Sequence, residues 1–426
     1  MASETLGEVL EQSRAPERKR HLPAASVRRR WHAVLAVAAV ILIGLNLRAG
    51  IASAAALYHD LQQVLGYGPL VAAVLPSIPT LCFAIAGAAT AWLTRRVGLE
   101  RTIAFALLLL TAGLVVRAVP SVGVLMLGTV VGMSGLAICN VAMPSFIRKH
   151  YAHRTSAMTG VYTITMSIGA TAAAAASVPL AMQLQAPTLG LAAWALLGAV
   201  ALLAFLPLAA AARPVPVAES GPAVSPWPLL ATRKGLLITG FFTVQALLGY
   251  AVFSWLPYIL ISGGLDAAQS GLMLAIMQIV NIPAVVVLLT MASRPRLLRP
   301  AFMLATAALL AGLLGLLLLP IQLVAVPALL LGVGFAVFPL VLMVISRSGR
   351  NAAETTAMST LAQSVGYFIA TLGPFGLGLL HAASGSWTLP LVLLVAVAVL
   401  QMVLAYWLSG SGRSRADGTA NDRKQS

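Results

Sequence analysis

Residues 33–57 read AVLAVAAVILIGLNLRAGIASAAAL, an apolar stretch interrupted by one charged side chain, Arg48. A helix of about 20 apolar residues crosses the hydrocarbon core of a bilayer. In lipid, the backbone polar groups must be paired inside the segment, and a helix meets that requirement by itself. The stretch therefore predicts a membrane-spanning helix with an arginine inside it.

Eleven further apolar runs give the rest of the chain the same character. They cover residues 69–93, 102–119, 121–146, 156–180, 189–212, 236–262, 268–291, 300–319, 322–345, 355–381 and 387–408. The composition agrees, because 60% of the residues are hydrophobic, 9% are charged and the mean hydropathy is +0.94. An ordinary soluble surface needs far more charge. We predict an all-α integral membrane protein with twelve transmembrane helices in the lipid bilayer.

The net charge of +16 would suggest a nucleic-acid partner for a soluble protein. Here, however, the Lys and Arg residues are concentrated in every second connection between the apolar runs. They lie before run 1 and after runs 2, 4, 6, 8, 10 and 12: Arg14, Arg18, Lys19, Arg20, Arg28, Arg29 and Arg30; Arg95, Arg96 and Arg101; Arg148, Lys149 and Arg154; Arg213, Arg233 and Lys234; Arg294, Arg296 and Arg299; Arg347 and Arg350; Arg413, Arg415, Arg423 and Lys424. Basic loops stay on the cytoplasmic side. We expect both termini in the cytoplasm, a bacterial cytoplasmic-membrane location and no nucleic-acid partner.

A proline-rich segment divides the chain into two sets of six runs. The expected domains are a cytoplasmic tail at 1–32, a six-helix bundle at 33–212, a cytoplasmic linker at 213–235, a second bundle at 236–409 and a tail at 410–426. Prolines keep such a linker extended. The two sets resemble each other weakly in the order of glycines, methionines and basic loops. Two parallel six-helix repeats with a binding site between them are typical of secondary transporters.

Arg48 is the most informative residue, because a charge within a span is costly and usually faces a polar cavity or a partner. The planar guanidinium suits a carboxylate, another delocalised anion or a polarised nitro group. The alternative is a structural arginine bonded to helix-end carbonyls or to Asp60. Asn46 projects about 200° away around the helix and is expected to serve a neighbouring helix. Arg117, near the end of run 3, is expected to extend to the membrane interface.

Two stripes of polar and aromatic residues are spaced at i, i+4, which places each stripe on one helix face. They are Tyr250, Ser254 and Tyr258 in run 7, and Ser359, Gln363, Tyr367 and Thr371 in run 11. Such stripes hold helices together or line a cavity, and their occurrence in two runs indicates lining. The candidate substrate-binding residues are Arg48, Asn140, Tyr162, Gln245, Tyr250, Trp255, Gln363 and Tyr367.

Other site chemistries find no support in the sequence. Asp60 and Glu354 lie at the ends of predicted helices, so no carboxylate deep in a span is available for proton coupling. His59 and His381 would act only at the outer surface. Cys82 and Cys139 lack metal-ligand spacing, and no Walker motif is present. We expect no catalytic residue, metal or cofactor, a transporter instead of an enzyme, and a monomer.

Several segments, taken in order, carry a resemblance to a known family. They are Asn46-Leu47-Arg48, LTRRVGLER at 93–101, Arg117 followed by Pro120-Ser121, GLAICNVAMP at 135–144, Met158 to Tyr162, Gln245 to Pro257 and Gln363 to Tyr367. In these segments the chain resembles the cyanate and 2-nitroimidazole permease family of the major facilitator superfamily. It departs from the family pattern at Ala49, where members commonly have proline, and at Arg95, where the superfamily's loop between helices 2 and 3 has an acid.

The resemblance implies a secondary transporter that works by alternating access and moves a small anionic or polar nitrogen-containing compound, similar to cyanate or a nitroimidazole. Arg48 would orient the substrate, Tyr250, Trp255, Gln363 and Tyr367 would shape the pocket, and Asn140, Tyr162 and Gln245 are further candidates. An efflux pump of the same superfamily is the alternative, since it shares the fold and differs in direction. Substrate identity and coupling ion stay open.

Overall fold

The computed structural model describes residues 23–212, 225, 227–349 and 351–410. All regular elements in these residues are helical, and twelve helical spans in them are long and apolar enough to cross a membrane. The predicted all-α fold with twelve spans is confirmed for this part of the chain. The tails expected before residue 23 and after residue 410, and linker residues 213–224 and 226, lie outside the described residues.

The first six spans form the N-half. They are α1 (Pro23–Leu65); α2a (Pro69–Val74) and α2b (Ile78–Val97), joined by a 3₁₀ turn at Leu75–Ser77; α3 (Leu99–Val116); α4 (Val122–His150); α5 (Thr155–Gln183); and α6a (Pro187–Ala192) with α6b (Ala195–Ala211). A 3₁₀ turn at Ala152–Arg154 precedes α5.

The last six spans form the C-half. They are α7 (Arg233–Ser262), α8 (Ala267–Ala292), α9 (Leu298–Leu318), α10a (Ala325–Phe335) with α10b (Val337–Ser346), α11a (Ala352–Ala370) with α11b (Leu372–Ser384), and α12 (Thr388–Gly410). Short helical turns at Trp227–Leu230 and Ile321–Leu323 precede α7 and α10a.

Several helix bounds differ from the apolar runs. The first helix begins at Pro23 instead of residue 33, and proline is well tolerated in the first turn, where its missing N–H has no intrahelical partner to lose. It ends at Leu65, before Gly66 with φ +64°, a conformation that glycine adopts without strain. The helical turn Trp227–Leu230 and the start of α7 also occupy part of the segment assigned to an extended linker.

Small residues set how closely the helices approach. A Cβ added at Gly128 of α4 would lie 2.8 Å from the Gly113 carbonyl oxygen of α3, and Gly132 lies against the same glycine. Glycines of this kind let two membrane helices pack backbone against backbone. Gly128 and Gly132, four residues apart on α4, therefore form a surface of close helix approach.

The two halves contact each other near one membrane surface. We name the surface at which α1 begins, with its Lys- and Arg-bearing loops, the basic face, and the other surface the opposite face. Gly378 of α11b lies against Ala73 of α2a, and Gly271 of α8 lies against the Ala174 carbonyl of α5. Each of these residues is in the part of its helix nearer the opposite face. The halves are therefore packed together on that side.

Candidate substrate-binding site

Arg48 lies within α1 and is half-buried. The ion pairs in the described residues join His59 to Asp60, and Glu100 to both Lys149 and His150. Arg48 forms none with a carboxylate there. The structural reading that paired it with Asp60 is not supported, because the Asp60 carboxylate faces His59 at 3.4 Å. An arginine without a carboxylate partner inside a membrane protein is available for an anionic ligand.

Three tyrosines from three different helices surround this charge. Arg48 interacts electrostatically with Tyr162 of α5, Tyr250 of α7 and Tyr367 of α11a. The hydroxyls of Tyr250 and Tyr367 are hydrogen-bonded to each other. The group thus includes side chains from both halves. Phenolic hydroxyls both donate and accept hydrogen bonds, so the arrangement presents one positive charge and several adaptable polar groups.

Asn140 enters this group through Tyr162. The Tyr162 hydroxyl donates a hydrogen bond to Asn140 Oδ1 on α4, with an O···O distance of 3.2 Å. Tyr162 is buried and Asn140 is half-buried. The bond fixes the tyrosine ring and leaves the amide nitrogen of Asn140 free to donate to another group.

Two phenylalanines that the sequence did not single out, Phe83 and Phe242, pack on the tyrosines, and a third, Phe338, packs on Phe242. The ring centroid of Phe83 on α2b lies 5.5 Å from that of Tyr367 and 6.0 Å from that of Tyr250. Phe242 lies 5.1 Å from Tyr367 and 5.7 Å from Phe338. These separations are typical of favourable aromatic pairs. A phenylalanine in an apolar run has no property that distinguishes a site wall from ordinary core, so no sequence signal was available for them.

The remaining predicted site residues occupy other positions. Gln363 lies one turn before Tyr367, and its amide donates to Ser359 Oγ at 2.7 Å. Gln245 is buried and hydrogen-bonded to Gln401 of α12. Trp255 is buried, and its indole N–H donates to the Pro374 carbonyl oxygen at 2.9 Å. In the described residues the hydrogen bonds of Gln245 and Trp255 therefore join C-half helices, and none of them is made to Arg48.

Arg117 and Asn46 are structural residues of the N-half. Arg117 is only 1% exposed and donates through Nη1 to the Gly50 carbonyl oxygen at 3.3 Å. The expectation that it extends to the interface is wrong, because the glycine-lined approach of α3 and α4 leaves room for its stem inside the bundle. Asn46 donates to the Leu197 carbonyl of α6b at 3.1 Å, which confirms the expectation that it serves a neighbouring helix.

Two cavities lie away from this group. One of about 530 Å³ is at the opposite-face ends of α7, α9 and α11b, and one of about 200 Å³ lies between α2b and α4. Arg48 lines neither of them. Charge and hydrogen-bonding chemistry, more than void volume, therefore identify the candidate site. Among the described residues, no cluster of three or more His, Cys, Asp or Glu side chains is arranged to hold a metal ion.

Comparison with known proteins places the chain among transporters. The profile of the Major Facilitator Superfamily matches residues 34–371. An uncharacterized transporter, YycB of Bacillus subtilis (strain 168), is 31% identical over 381 residues, which is 89% of this chain and 94% of the relative. The 2-nitroimidazole transporter of Escherichia coli (strain K12) is 30% identical over 406 residues, covering 90% and 96%. The cyanate transport protein CynX of the same strain is 29% identical over 351 residues, covering 82% and 90%.

Solved structures share the fold at low sequence identity. The nucleoside transporter NupG superimposes with a TM-score of 0.71 at 13% identity, covering 88% of this chain and 98% of that one. A D-xylose-proton symporter gives a TM-score of 0.68 at 16% identity, covering 88% and 97%. At such identities the likeness concerns the arrangement of helices and carries no information about substrate.

Proposed function

Because this chain belongs to the Major Facilitator Superfamily, we propose that it moves a small anionic or polar nitrogen-containing compound across the cytoplasmic membrane by alternating access. The chain is a multi-pass membrane transporter and not an enzyme. The proposed substrate class is that of cyanate and nitroimidazoles.

The proposal rests on Arg48, which has no carboxylate partner in the part of the chain that the structure describes and is surrounded by tyrosines from both halves. Removing a guanidinium from water is costly unless an opposite charge or good acceptors compensate it. An anion or a nitro group supplies that compensation when it binds. The planar fork of N–H donors matches two oxygens of a nitro group or the charge of a small linear anion.

The aromatic surroundings suit a small planar substrate. Tyr250, Tyr367 and Phe83 are stabilised by packing on each other and offer ring faces and edges to a flat molecule. The Tyr162 and Asn140 pair adds polar groups on the N-half side. The relatives named for 2-nitroimidazole and cyanate support this class, since one substrate is a planar nitroheterocycle and the other a small anion.

Alternating access follows from a site shared between the halves. We propose that the basic face is cytoplasmic, because Lys- and Arg-rich loops are retained there, and that the halves, joined by the 213–235 segment, move as units. In this conformation the halves are in contact toward the opposite face, at Gly378 and Ala73 and at Gly271 and Ala174. Opening the site to the outside requires these contacts to separate. We further propose that the transporter acts as a monomer.

Ligand-induced stabilisation of the purified protein tests the site. A ligand that binds only the folded state raises its stability by about 2.7 kcal/mol at a concentration 100 times its Kd. We expect cyanate or a nitroimidazole to raise the melting temperature of the wild type and to leave the Arg48→Ala variant unchanged. Arg347→Ala, an exposed arginine on the basic face, is the matched control and should respond as the wild type does. Equal stabilisation of the Arg48→Ala variant would contradict the proposed site.

A further inference from the structure

An arginine at the basic face is held on an aromatic ring. The guanidinium carbon of Arg299 lies 3.4 Å from the ring centroid of Tyr406. Arg299 is in the first turn of α9, and Tyr406 lies four residues before the end of α12 at Gly410. The pair therefore joins two helices where both reach the basic face. A cation this close to a ring face is attracted by the ring quadrupole, so the contact fixes the position of the Arg299 charge.

The ring under Arg299 belongs to the lipid-facing surface. Tyr406 is 51% exposed and Trp407, the next residue, is 52% exposed, although both lie within a membrane span. Four residues of α-helix rise about 6 Å, so Tyr406 lies about that far from the helix end. Tyrosine and tryptophan are enriched at this depth, where the lipid headgroups meet the hydrocarbon. The Arg299 charge is therefore held at the level of the headgroups.

The arginines around this pair have no acidic partner. Arg294 and Arg296 are exposed in the connection between α8 and α9. The sequence contains no Asp or Glu from residue 267 to residue 353. Within the described residues, the side chains of Arg294, Arg296 and Arg299 form no ion pair or hydrogen bond. The N–H donors of a guanidinium point outward in its plane, so those of Arg299 remain available for an anion.

The corresponding connection of the N-half has a similar pair. Arg96 lies over the Trp92 ring, with its guanidinium carbon 4.7 Å from the centroid, and Trp92 is 51% exposed. An acid follows there, because Glu100 at the start of α3 is paired with Lys149 at 2.6 Å. The C-half connection contains no acid that could neutralise its arginines. This difference favours the Arg299 pair as the stronger site for an anion from outside the protein.

We propose that Arg299, Tyr406 and the neighbouring Arg296 form a binding site for an anionic phospholipid of the leaflet next to the basic face. The phosphodiester oxygens accept the in-plane N–H groups of Arg299, Arg296 adds a second positive charge, and an acyl chain lies along the exposed side of α12. A lipid fits this surface better than a soluble anion does, because the ring that holds the arginine faces the bilayer. The site goes beyond the transport proposal and depends on neither substrate nor direction.

Quenching by brominated lipids measures which lipid lies beside the pair. Val403, three residues before Tyr406 and 39% exposed, is replaced as Val403→Cys in a background carrying Cys82→Ala and Cys139→Ala and is labelled with bimane. Vesicles contain phosphatidylcholine and phosphatidylglycerol, of which one or the other is brominated. We expect phosphatidylglycerol at this position about fivefold more often than its share of the bilayer, the effect of one basic residue near the surface. A label at Leu389→Cys, at the opposite-face end of the same helix, should show no preference.

Variants separate the site from the general attraction of a basic surface. Arg299→Gln should abolish most of the preference at Val403→Cys. Tyr406→Ala should lower it without any change of charge, whereas Tyr406→Phe keeps the ring and should retain it. Arg347→Gln, which removes an exposed arginine of the same half, is the matched control and should leave it unchanged. Arg299→Gln and Tyr406→Ala give separate readouts if one of them does not fold. Equal quenching by the two brominated lipids in the parent protein, a full preference in either of these two variants, or the same preference at Leu389→Cys would overturn the proposal.

Discussion

Arg48 has an unusual position for a charged residue, because the groups around it are hydroxyls and rings. Tyr162, Tyr250 and Tyr367 interact with its charge, and none of them carries a negative charge of its own at neutral pH. Without ligand, the guanidinium depends on partial solvation and on hydroxyl dipoles. A bound anion replaces these with a full charge interaction, which is why binding and orientation are assigned to this one residue.

Tyr162→Phe tests the polar side of the site. The change removes the hydroxyl that donates to Asn140 at 3.2 Å while keeping the ring. In the proposed site this hydroxyl also bonds the ligand, and one hydrogen bond contributes about 1 kcal/mol, so we expect ligand affinity to fall about fivefold, together with a small loss of folding stability from the bond to Asn140. Isothermal titration of the purified protein measures it. Tyr406→Phe, an exposed ring on α12, is the control, and an unaltered affinity in Tyr162→Phe would remove this pair from the site.

The sequence identifies those site residues whose polar or charged groups are costly to place in lipid. It does not identify the apolar residues of the site or the partners of buried polar groups. Arg48 and the tyrosines on regular i, i+4 spacings are conspicuous in apolar helices. Gln245 looked equivalent, but its partner Gln401 lies 156 positions away, and sequence spacing gives no information about such a contact. Phe83 was missed for a different reason: an apolar ring is favourable at any position in a membrane span, so its presence does not indicate a site. Long-range partners and apolar walls therefore require the fold.

Helix α5 contacts α1 through a glycine. A Cβ at Gly169 would overlap the Leu45 carbonyl oxygen of α1. This close contact positions α5 beside the helix that carries Arg48, three residues after Leu45. The hydroxyl of Thr165, one turn earlier on α5, packs at Gly44. The geometry of the N-half side of the site therefore depends on the close packing of Gly169 on Leu45 and of Thr165 on Gly44.

Gly169→Ala should separate α5 from α1. Overpacking of a tight contact costs about 1–3 kcal/mol, so we expect a lower melting temperature together with weaker ligand binding. Gly160→Ala on the same helix meets no neighbouring atom within 4 Å and should be neutral or slightly stabilising, because alanine favours helix more than glycine does. Thermal unfolding of both variants measures the difference. Equal melting temperatures would show that the contact is not tight.

The number and type of helices followed from the apolar runs, but their interruptions did not. Spans 10 and 11 are each divided into two segments, at Ala336 and Thr371, within runs that are continuous by hydropathy. Hydropathy measures transfer from water to lipid and does not report the local backbone geometry. Pro374 follows the second interruption, but a proline in a span is compatible with several geometries.

At the scale of the whole molecule, the two halves are joined at the opposite face by contacts between small residues and by the hydrogen bond from the Tyr258 hydroxyl to Gln62 Oε1. Gly378 is the tightest of the small-residue positions across α2a and α11b, since a Cβ there would lie 2.8 Å from Ala73 and 2.8 Å from Trp255. Within each half the helices pack on one another, α1 on α5 and α3 on α4 in the N-half and α9 on α10a and on α12 in the C-half. We expect the contact between the halves to change while these pairs stay packed. In the proposed transport cycle, the site shared by both halves changes its access as that contact changes.

Gly378→Ala should shift the transporter toward opening at the opposite face. The added methyl group has no room in the closed contact and is accommodated once α11b moves away from α2a. Spin labels at Met182→Cys and Leu318→Cys, exposed positions at the opposite-face ends of α5 and α9, in a background carrying Cys82→Ala and Cys139→Ala, should populate longer distances than they do in the protein that keeps Gly378. Gly376→Ala, two residues earlier with nothing within 4 Å, should leave the distances unchanged. A longer distance in both variants would indicate a general loss of packing instead.

Counterflow in proteoliposomes tests the central claim most directly. Vesicles containing the purified protein are loaded with unlabelled cyanate or 2-nitroimidazole and diluted into the labelled compound. The wild type should accumulate label transiently above protein-free vesicles for at least one of the two compounds, and the Arg48→Ala variant, inserted at the same density, should stay at the protein-free level. Accumulation by Arg48→Ala equal to that of the wild type, or no accumulation by the wild type with either compound, would contradict the account.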